Sequence, residues 1–118
     1  MVGDMTTPSI GPGDLLVVSA GPGGFSTVDG LMGVARAAGA RIALVTANPG
    51  GSAAQLADTA LVVPAQTMAD DVGGASVLPM GSLFEGAGFI LFEMAVMALA
   101  QRLGVGADAM RARHTNLE

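Results

Sequence analysis

The sequence predicts an α/β fold in which a parallel β-sheet is flanked by helices. Short apolar runs rich in β-branched residues alternate with helical segments, and glycine-rich turns join them. This alternation is typical of strand–helix–strand units, in which the parallel sheet is covered on both faces. We therefore expect ligands to bind at the carboxyl ends of the strands, where such sheets place their sites.

The first predicted strand covers residues 14–19 and follows an irregular segment that contains proline and glycine. A glycine-rich turn over residues 20–25 leads into a helix over about residues 26–38. Ser26 is the predicted N-cap because its hydroxyl can accept a hydrogen bond from a free helical N–H, and Gly39 is the predicted C-cap.

The second and third predicted strands are Arg41–Thr46 and residues 60–64, which are both short apolar runs. Between them, residues 52–55 read Ser-Ala-Ala-Gln, which is the spacing of a capping box that opens a short helix. A long loop over residues 66–77 follows the third strand. Each strand therefore ends in a loop at the edge where ligands are expected.

A long, nearly charge-free helix is predicted over about Ser82–Leu103, and a short helix over residues 108–113. The chain of 118 residues is long enough for one hydrophobic core and too short for two. We therefore expect a single domain over residues 1–118.

The composition excludes several classes of function. The chain is 51% hydrophobic and 13% charged with a net charge of −5, and all five cations are arginines. No basic stripe is present to neutralise phosphates, which argues against nucleic-acid binding. The absence of cysteine excludes disulfides and thiolate metal sites. The thinly charged surface leads us to expect burial against another subunit.

The chain is also expected to be cytoplasmic and not to bind membranes. No signal peptide is visible, since the N-terminus carries Asp4 and no positively charged region. Glu93 splits the long helix into apolar runs over residues 86–92 and 94–100. Each run falls short of the roughly 20 residues that a membrane span needs.

The glycine-rich turn is a candidate anion site. Gly23 and Gly24 would let the backbone approach a ligand, while the helix N-terminus and the hydroxyls of Ser26 and Thr27 would donate hydrogen bonds. The alternative is a plain tight turn. The turn is not a Walker loop, because the chain has no lysine. A dinucleotide fingerprint is disfavoured because the third glycine is missing and Thr46, not an acidic residue, ends the next strand.

Ser82 and Glu85 open the long helix with the spacing of a capping box, and from spacing alone the cap is the favoured interpretation. The alternative is that Glu85 is a general base facing the ligand end of the sheet. His114 is the only histidine, and a histidine so near a C-terminus is usually a solvated tail residue. Asp70 and Asp71 are more typical of a charged loop than of a metal site, so no metal is expected.

Five segments together carry a family resemblance: residues 14–19 with their glycine loop, 45–49, 56–58, 81–85 and 111–118. They resemble the sugar isomerase (SIS) domain family, and within it the 6-phospho-3-hexuloisomerases. The resemblance covers the chain from Thr6 to Glu118, and its last two segments are the specific ones.

The resemblance implies a flavodoxin-like parallel sheet and a homo-oligomer with active sites between subunits. It implies isomerisation of a phosphorylated sugar, between 3-hexulose 6-phosphate and fructose 6-phosphate, through an enediol and without a cofactor. Glu85 would move the proton, and His114 would assist ring opening or polarise an oxygen, reaching a neighbouring subunit. The turn over Gly23, Gly24, Ser26 and Thr27 would hold the phosphate, with Ser82 as a further substrate-binding residue.

Two departures from the family pattern stand out. The family's phosphate loop reads Ser-Gly-Ser-Gly-Glu-Thr-Ser, and this chain has Ala20 and Pro22 at the two loop serines and Phe25 at the threonine. Losing a hydroxyl from a buried anion site costs about 1.5–3 kcal/mol, so phosphate binding should be weaker, differently built or absent. Ser19 lies one residue early and is expected to point to the other side of the strand.

The second departure is at the front of the chain, where the family's first helix and first strand have no counterpart. The strand over residues 14–19 is then expected to be an exposed apolar edge, which proteins avoid. Three hypotheses follow: an isomerase that is impaired in catalysis, a non-catalytic module that binds a phosphorylated sugar, and a nucleotide-binding α/β domain. The third is the weakest, because no acidic residue ends the second strand.

Overall fold

Three parallel strands form the sheet, in the order β1 (Leu15–Ser19), β2 (Arg41–Thr46) and β3 (Thr59–Val62). The computed structural model describes residues 6–70 and 77–112. Leu15 of β1 pairs with Arg41, and Ala43 of β2 pairs with Thr59. The predicted α/β fold with parallel strands is confirmed, and the strand bounds differ from the predicted ones by at most two residues.

Four α-helices accompany the sheet in the described part of the chain: α1 (Ser26–Ala37), α2 (Ser52–Leu56), α3 (Ser82–Leu103) and α4 (Ala107–Arg111). A single 3₁₀ turn, Met68–Asp70, lies within the loop that follows β3. The long helix has the predicted bounds. The last helix begins and ends slightly earlier than predicted.

The hydrophobic core lies between one face of the sheet and helices α1 and α2. Ile42 and Leu44 of β2 are 1% exposed, and Leu16 and Val18 of β1 pack beside them at the same register. The helices contribute small or flexible side chains: Met32, Ala35 and Ala53, which are fully or almost fully buried. Alternate residues of each strand point to this face, as the two-residue period of a strand requires.

The opposite face of the sheet is largely exposed at its outer strands in the described residues. Leu15 and Val17 of β1 are 57% and 52% exposed, and Leu61 of β3 is 48% exposed. The described residues therefore cover this face only in part, since Val45 of β2 is 6% exposed. Large aliphatic side chains that stay in water forgo about 1.5–3 kcal/mol each of burial free energy.

The edge strand behaves as expected from the sequence. β1 lies at one end of the strand order and pairs with β2 alone among the described strands. Its outer edge presents unpaired N–H and C=O groups beside exposed apolar side chains, a combination that favours pairing with another strand.

Helix α3 is apolar around its whole circumference and yet almost entirely exposed. Phe84 and Gly88, near its start, are its buried residues. Large apolar side chains along the remaining turns are 39–73% exposed: Phe89, Ile90, Phe92, Met94, Val96, Met97, Leu99 and Leu103. A helix that is hydrophobic on all sides is normally surrounded by other groups.

By length and composition, α3 could also cross a membrane. It has 22 residues and a mean hydropathy of 1.8 in its most apolar window, with Glu85 and Glu93 included in the helix. The sequence analysis divided this helix at Glu93 and judged each apolar run too short to span a membrane. That criterion is too strict, because a spanning helix can contain one or two charged residues. Core helices of soluble proteins reach the same length and hydropathy, but they are mostly buried, whereas 11% of this window is buried.

The predicted helix caps are wrong at all three serines. Ser26, Ser52 and Ser82 are each the first helical residue, and the N-caps are Phe25, Gly51 and Gly81, without a side-chain capping bond. The serine hydroxyls bond elsewhere, Ser52 to Asp29 Oδ2 at 2.7 Å and Ser82 to the Pro79 carbonyl at 2.7 Å. At the other end of α1, Gly39 follows the C-cap Ala38 and has a φ of +80°.

The core of α1 gives a direct test of the fold. Met32→Ala should lower the free energy of unfolding by about 2–5 kcal/mol, because it leaves a cavity at a fully buried position. Leu31→Ala, at the neighbouring position that is 42% exposed, should cost less than about 1 kcal/mol. Chemical denaturation of both variants measures the difference, and equal losses would contradict the assignment of the α1 face.

Candidate active site

A cavity of about 320 Å³ lies at the carboxyl end of β1, where the fold predicts a ligand site. Three segments form its walls: the end of β1 with its loop, the residues after β3, and the start of α3. The lining residues are Ser19, Ala20, Gly21, Pro22, Phe25, Thr67, Met68, Met80, Gly81, Phe84 and Glu85. The cavity is mostly apolar, and Glu85 is the charged residue in its wall.

The Glu85 carboxylate has no hydrogen-bond or ion-pair partner among the described residues. The capping interpretation of Ser82 and Glu85 is wrong, because the Ser82 N–H donates to the Pro79 carbonyl at 3.0 Å and no side chain caps α3. Within residues 6–70 and 77–112, no hydrogen bond or ion pair engages the Glu85 carboxylate. Its side chain is exposed at the rim of the cavity.

Phe84 fixes the start of α3 against the sheet and so determines where Glu85 lies. The Phe84 ring is 2% exposed and packs on Gly21, where an added Cβ would be 2.8 Å from a ring carbon. The Phe84 N–H also donates to the Gln66 carbonyl at 3.3 Å. Gly81 completes the joint, since its φ is +78° and a Cβ there would be 2.6 Å from the Met68 nitrogen.

The glycine loop leads directly into α1, as predicted. Gly23 and Gly24 have φ values of +100° and +133°, which residues with a side chain rarely adopt. Ser26 and Thr27 are the first residues of α1 and are exposed. In the described ranges, no hydrogen bond uses the N–H of either residue. The loop therefore offers free backbone donors beside two hydroxyls.

The structure brings only part of the predicted site together. Glu85 lines the cavity, whereas Gly23, Ser26, Thr27 and Ser82 lie outside its lining. Gly24 lines an adjoining apolar hollow together with Phe25. The Ser82 hydroxyl is already committed to Pro79. His114 lies outside the described residues.

Several lining residues were missed by sequence reasoning. Ser19 was expected to point to the other side of the strand, and it lines the cavity. Thr67, Met68 and Met80 come from loop segments that carry no recognisable motif. Only their positions in the sequence could have indicated them, since Thr67 follows the third strand and Met80 precedes the long helix.

Asp70 has a local role in the loop after β3. Its carboxylate accepts a hydrogen bond from the Thr67 hydroxyl at 2.9 Å, and Asp71 lies outside the described residues. Over the ranges 6–70 and 77–112, no cluster of three or more histidine, cysteine, aspartate or glutamate side chains could hold a metal ion.

Comparison with known proteins gives a consistent set of relatives. The chain is 41% identical over 118 residues to a 3-hexulose-6-phosphate isomerase of Mycobacterium gastri. It is 36% identical over 126 residues to a 3-hexulose-6-phosphate isomerase of Methylomonas aminofaciens. Both alignments cover the whole chain, which spans only 59% and 65% of these relatives. No protein-family model matches the chain.

Solved structures show the same fold. A hypothetical protein matches with a TM-score of 0.84 and 27% identity, covering 98% of this chain and 62% of the other. A hypothetical protein of Methanococcus jannaschii matches with a TM-score of 0.81 and 26% identity, covering 99% and 62%. A molecular function of 3-hexulose-6-phosphate isomerase has been inferred for the Methanococcus jannaschii protein from its crystal structure.

The contact between Gly21 and Phe84 gives a test of the site geometry. Gly21→Ala should lower the free energy of unfolding by about 1–3 kcal/mol, because the new methyl group forces the Phe84 ring and the start of α3 to shift. Gly33→Ala, on the open face of α1, should instead be neutral or stabilise by up to about 1 kcal/mol. Thermal denaturation measures both, and an unchanged Gly21→Ala variant would contradict the packing.

Proposed function

We propose that the chain, which is 41% and 36% identical over its whole length to two 3-hexulose-6-phosphate isomerases, belongs to their family and acts as a phosphosugar isomerase domain. The reaction moves a carbonyl between C3 and C2 of a ketose 6-phosphate, interconverting a 3-hexulose 6-phosphate and fructose 6-phosphate. One observation carries the proposal: an uncommitted carboxylate, Glu85, lies in the wall of a cavity at the ligand end of a parallel sheet.

The proposed chemistry needs one base that can both accept and return a proton. The Glu85 carboxylate removes the proton from the carbon beside the carbonyl and leaves an enediolate, then delivers the proton to the neighbouring carbon. One carbon is oxidised as the other is reduced, so the reaction balances within the sugar and needs no cofactor. Phe84, Met68 and Met80 form the apolar wall of the cavity beside this base.

The phosphate would bind at the loop before α1. Gly23 and Gly24 keep the backbone open to a ligand, and Ser26 and Thr27 add hydroxyls at a helix N-terminus, which favours anions. No cationic side chain belongs to this loop, and Pro22 supplies no N–H. Binding therefore depends on neutral dipoles, and we expect only modest affinity.

The complete site is proposed to form between subunits of a homo-oligomer. Helix α3 exposes a continuous apolar surface, which we name the α3 surface: Phe89, Ile90, Met94, Val96, Met97 and Leu99. Glu93 lies within this stretch, and a charge in the middle of a helix is costly in lipid. We therefore propose that the surface packs against protein in a soluble, cytoplasmic enzyme, with His114 acting at the site of a neighbouring subunit.

A non-catalytic module that binds a phosphorylated sugar is the second candidate. The glycine loop favours it, because Ala20, Pro22 and Phe25 lack the hydroxyls that the family pattern places there. Such a module would use the same cavity and loop without proton transfer by Glu85.

Exchange of a sugar hydrogen with solvent separates the two candidates. In deuterium oxide, the chain should remove the C3–H signal of fructose 6-phosphate from the proton NMR spectrum, because the enediolate is reprotonated from solvent. Glu85→Gln should abolish this exchange and leave folding intact, since an amide cannot act as the base. Asp108→Asn, an equivalent change at an exposed carboxylate paired with Arg111, should exchange normally.

Each result of that experiment has a distinct meaning. Exchange by Glu85→Gln at the rate of the unaltered chain would remove Glu85 from the mechanism. Broadening of the sugar signals without exchange would favour the binding module. No effect at millimolar sugar would show that the chain by itself has no competent site.

The α3 surface makes the proposed assembly testable by size. The chain should sediment as a dimer or larger at micromolar concentration, and Met97→Glu should shift it toward the monomer, because a buried unpaired charge is strongly unfavourable. Val34→Glu, on an exposed position of α1, serves as the matched control and should leave the assembly unchanged. If sedimentation velocity shows that the unaltered chain is a monomer at this concentration, the proposal is overturned.

A further inference from the structure

We infer that Thr46 and Asn48 are positioning residues that hold the glycine loop in its ligand-binding conformation. The inference rests on the proposed function, because the loop is the proposed phosphate site. Neither residue is among the predicted site residues. Thr46 is the last residue of β2 and is fully buried, so it acts on a ligand only through the loop.

The observation is a series of hydrogen bonds from the β2–α2 segment to four successive carbonyl groups of the loop. The Thr46 hydroxyl donates to the Ala20 carbonyl at 2.7 Å, and the Ala47 N–H donates to the Gly21 carbonyl at 3.1 Å. Asn48 Nδ2 donates to the Pro22 carbonyl at 3.1 Å, and the Ala53 N–H donates to the Gly23 carbonyl at 3.0 Å. We name this series the carbonyl clamp.

The clamp determines the direction of the loop's N–H groups. In a planar trans peptide, the N–H of one residue points opposite to the C=O of the residue before it. With the four carbonyls turned toward the β2–α2 segment, the N–H groups of Gly21 and Gly24 point away from it. No hydrogen bond within residues 6–70 and 77–112 uses either group. The clamp thus leaves these donors available for a ligand.

Two side chains make the clamp sensitive to sequence, because its other two donors are backbone groups. Thr46 Oγ1 also accepts the Asn48 N–H at 3.1 Å, and Asn48 Oδ1 accepts the Gly50 N–H at 3.1 Å. The Thr46 hydroxyl therefore donates to the neighbouring loop and accepts from its own turn, whereas Asn48 does the same with two atoms, Nδ2 and Oδ1. The two residues join the turn after β2 to the loop after β1.

Thr46→Val and Thr46→Ser form the decisive pair. Valine keeps the volume and branching of threonine and removes the hydroxyl, whereas serine keeps the hydroxyl. In the chain without ligand, Thr46→Val should raise the hydrogen-exchange rates of the Gly23 and Ala53 amides roughly tenfold, and Thr46→Ser should not. The Leu44 amide of β2 is followed in the same spectra as the measure of global unfolding, because the fully buried Thr46 also contributes to the stability of the whole fold. Asn48→Ala, at an exposed position, should raise the same loop rates with little effect on folding.

A ligand titration then tests the role in binding. Thr46→Val should raise the dissociation constant for fructose 6-phosphate roughly tenfold in an NMR titration. Thr46→Ser should bind the sugar as tightly as the unaltered chain does. Equal loop exchange in the two Thr46 variants would overturn the inference, and so would faster exchange with unchanged affinity. If the loop rates rise but the unaltered chain binds no sugar phosphate, the proposed function fails and the positioning of the loop by Thr46 stands.

Discussion

The contact between the Phe84 ring and Gly21 is the constraint on which the geometry of the site depends. Helix α3 has its buried residues at its start, so this contact joins an otherwise exposed helix to the sheet. A side chain at residue 21 would occupy the space of the ring. Because Glu85 follows Phe84 directly, the same contact brings its carboxylate to the loop after β1. Phe84 thus packs the helix against the sheet, and the adjacent Glu85 supplies the proposed base.

One face of the sheet is covered by helices, whereas the other face is largely exposed in the described residues. Helices α1 and α2 close the core over Ile42 and Leu44, which are 1% exposed. The other face of the sheet, the β1 edge and α3 all expose large apolar groups. The end of β1 and the start of α3 also line the cavity of the proposed site, and the curated relatives are longer than this chain.

The sequence predicted the elements well and their ends less well. Apolar runs and glycine positions identified the three strands and the long helix, because these signals come from burial and backbone freedom along the chain. The serine caps were wrong because their hydroxyls bond to groups distant in sequence or outside the helix, as Ser52 does to Asp29. Similarly, the cavity wall at Thr67 and Met80 depends on how the loop folds back, and no local pattern encodes that.

The free edge of β1 would couple the proposed assembly to the proposed catalysis. A strand that added in parallel to this edge would end beside the Ala20–Phe25 segment, since parallel strands carry their carboxyl ends to the same side of the sheet. Its following loop would then reach the cavity that contains Glu85. Completion of the sheet and completion of the active site would be one event, so that turnover per chain would rise with the concentration of the component that supplies the strand.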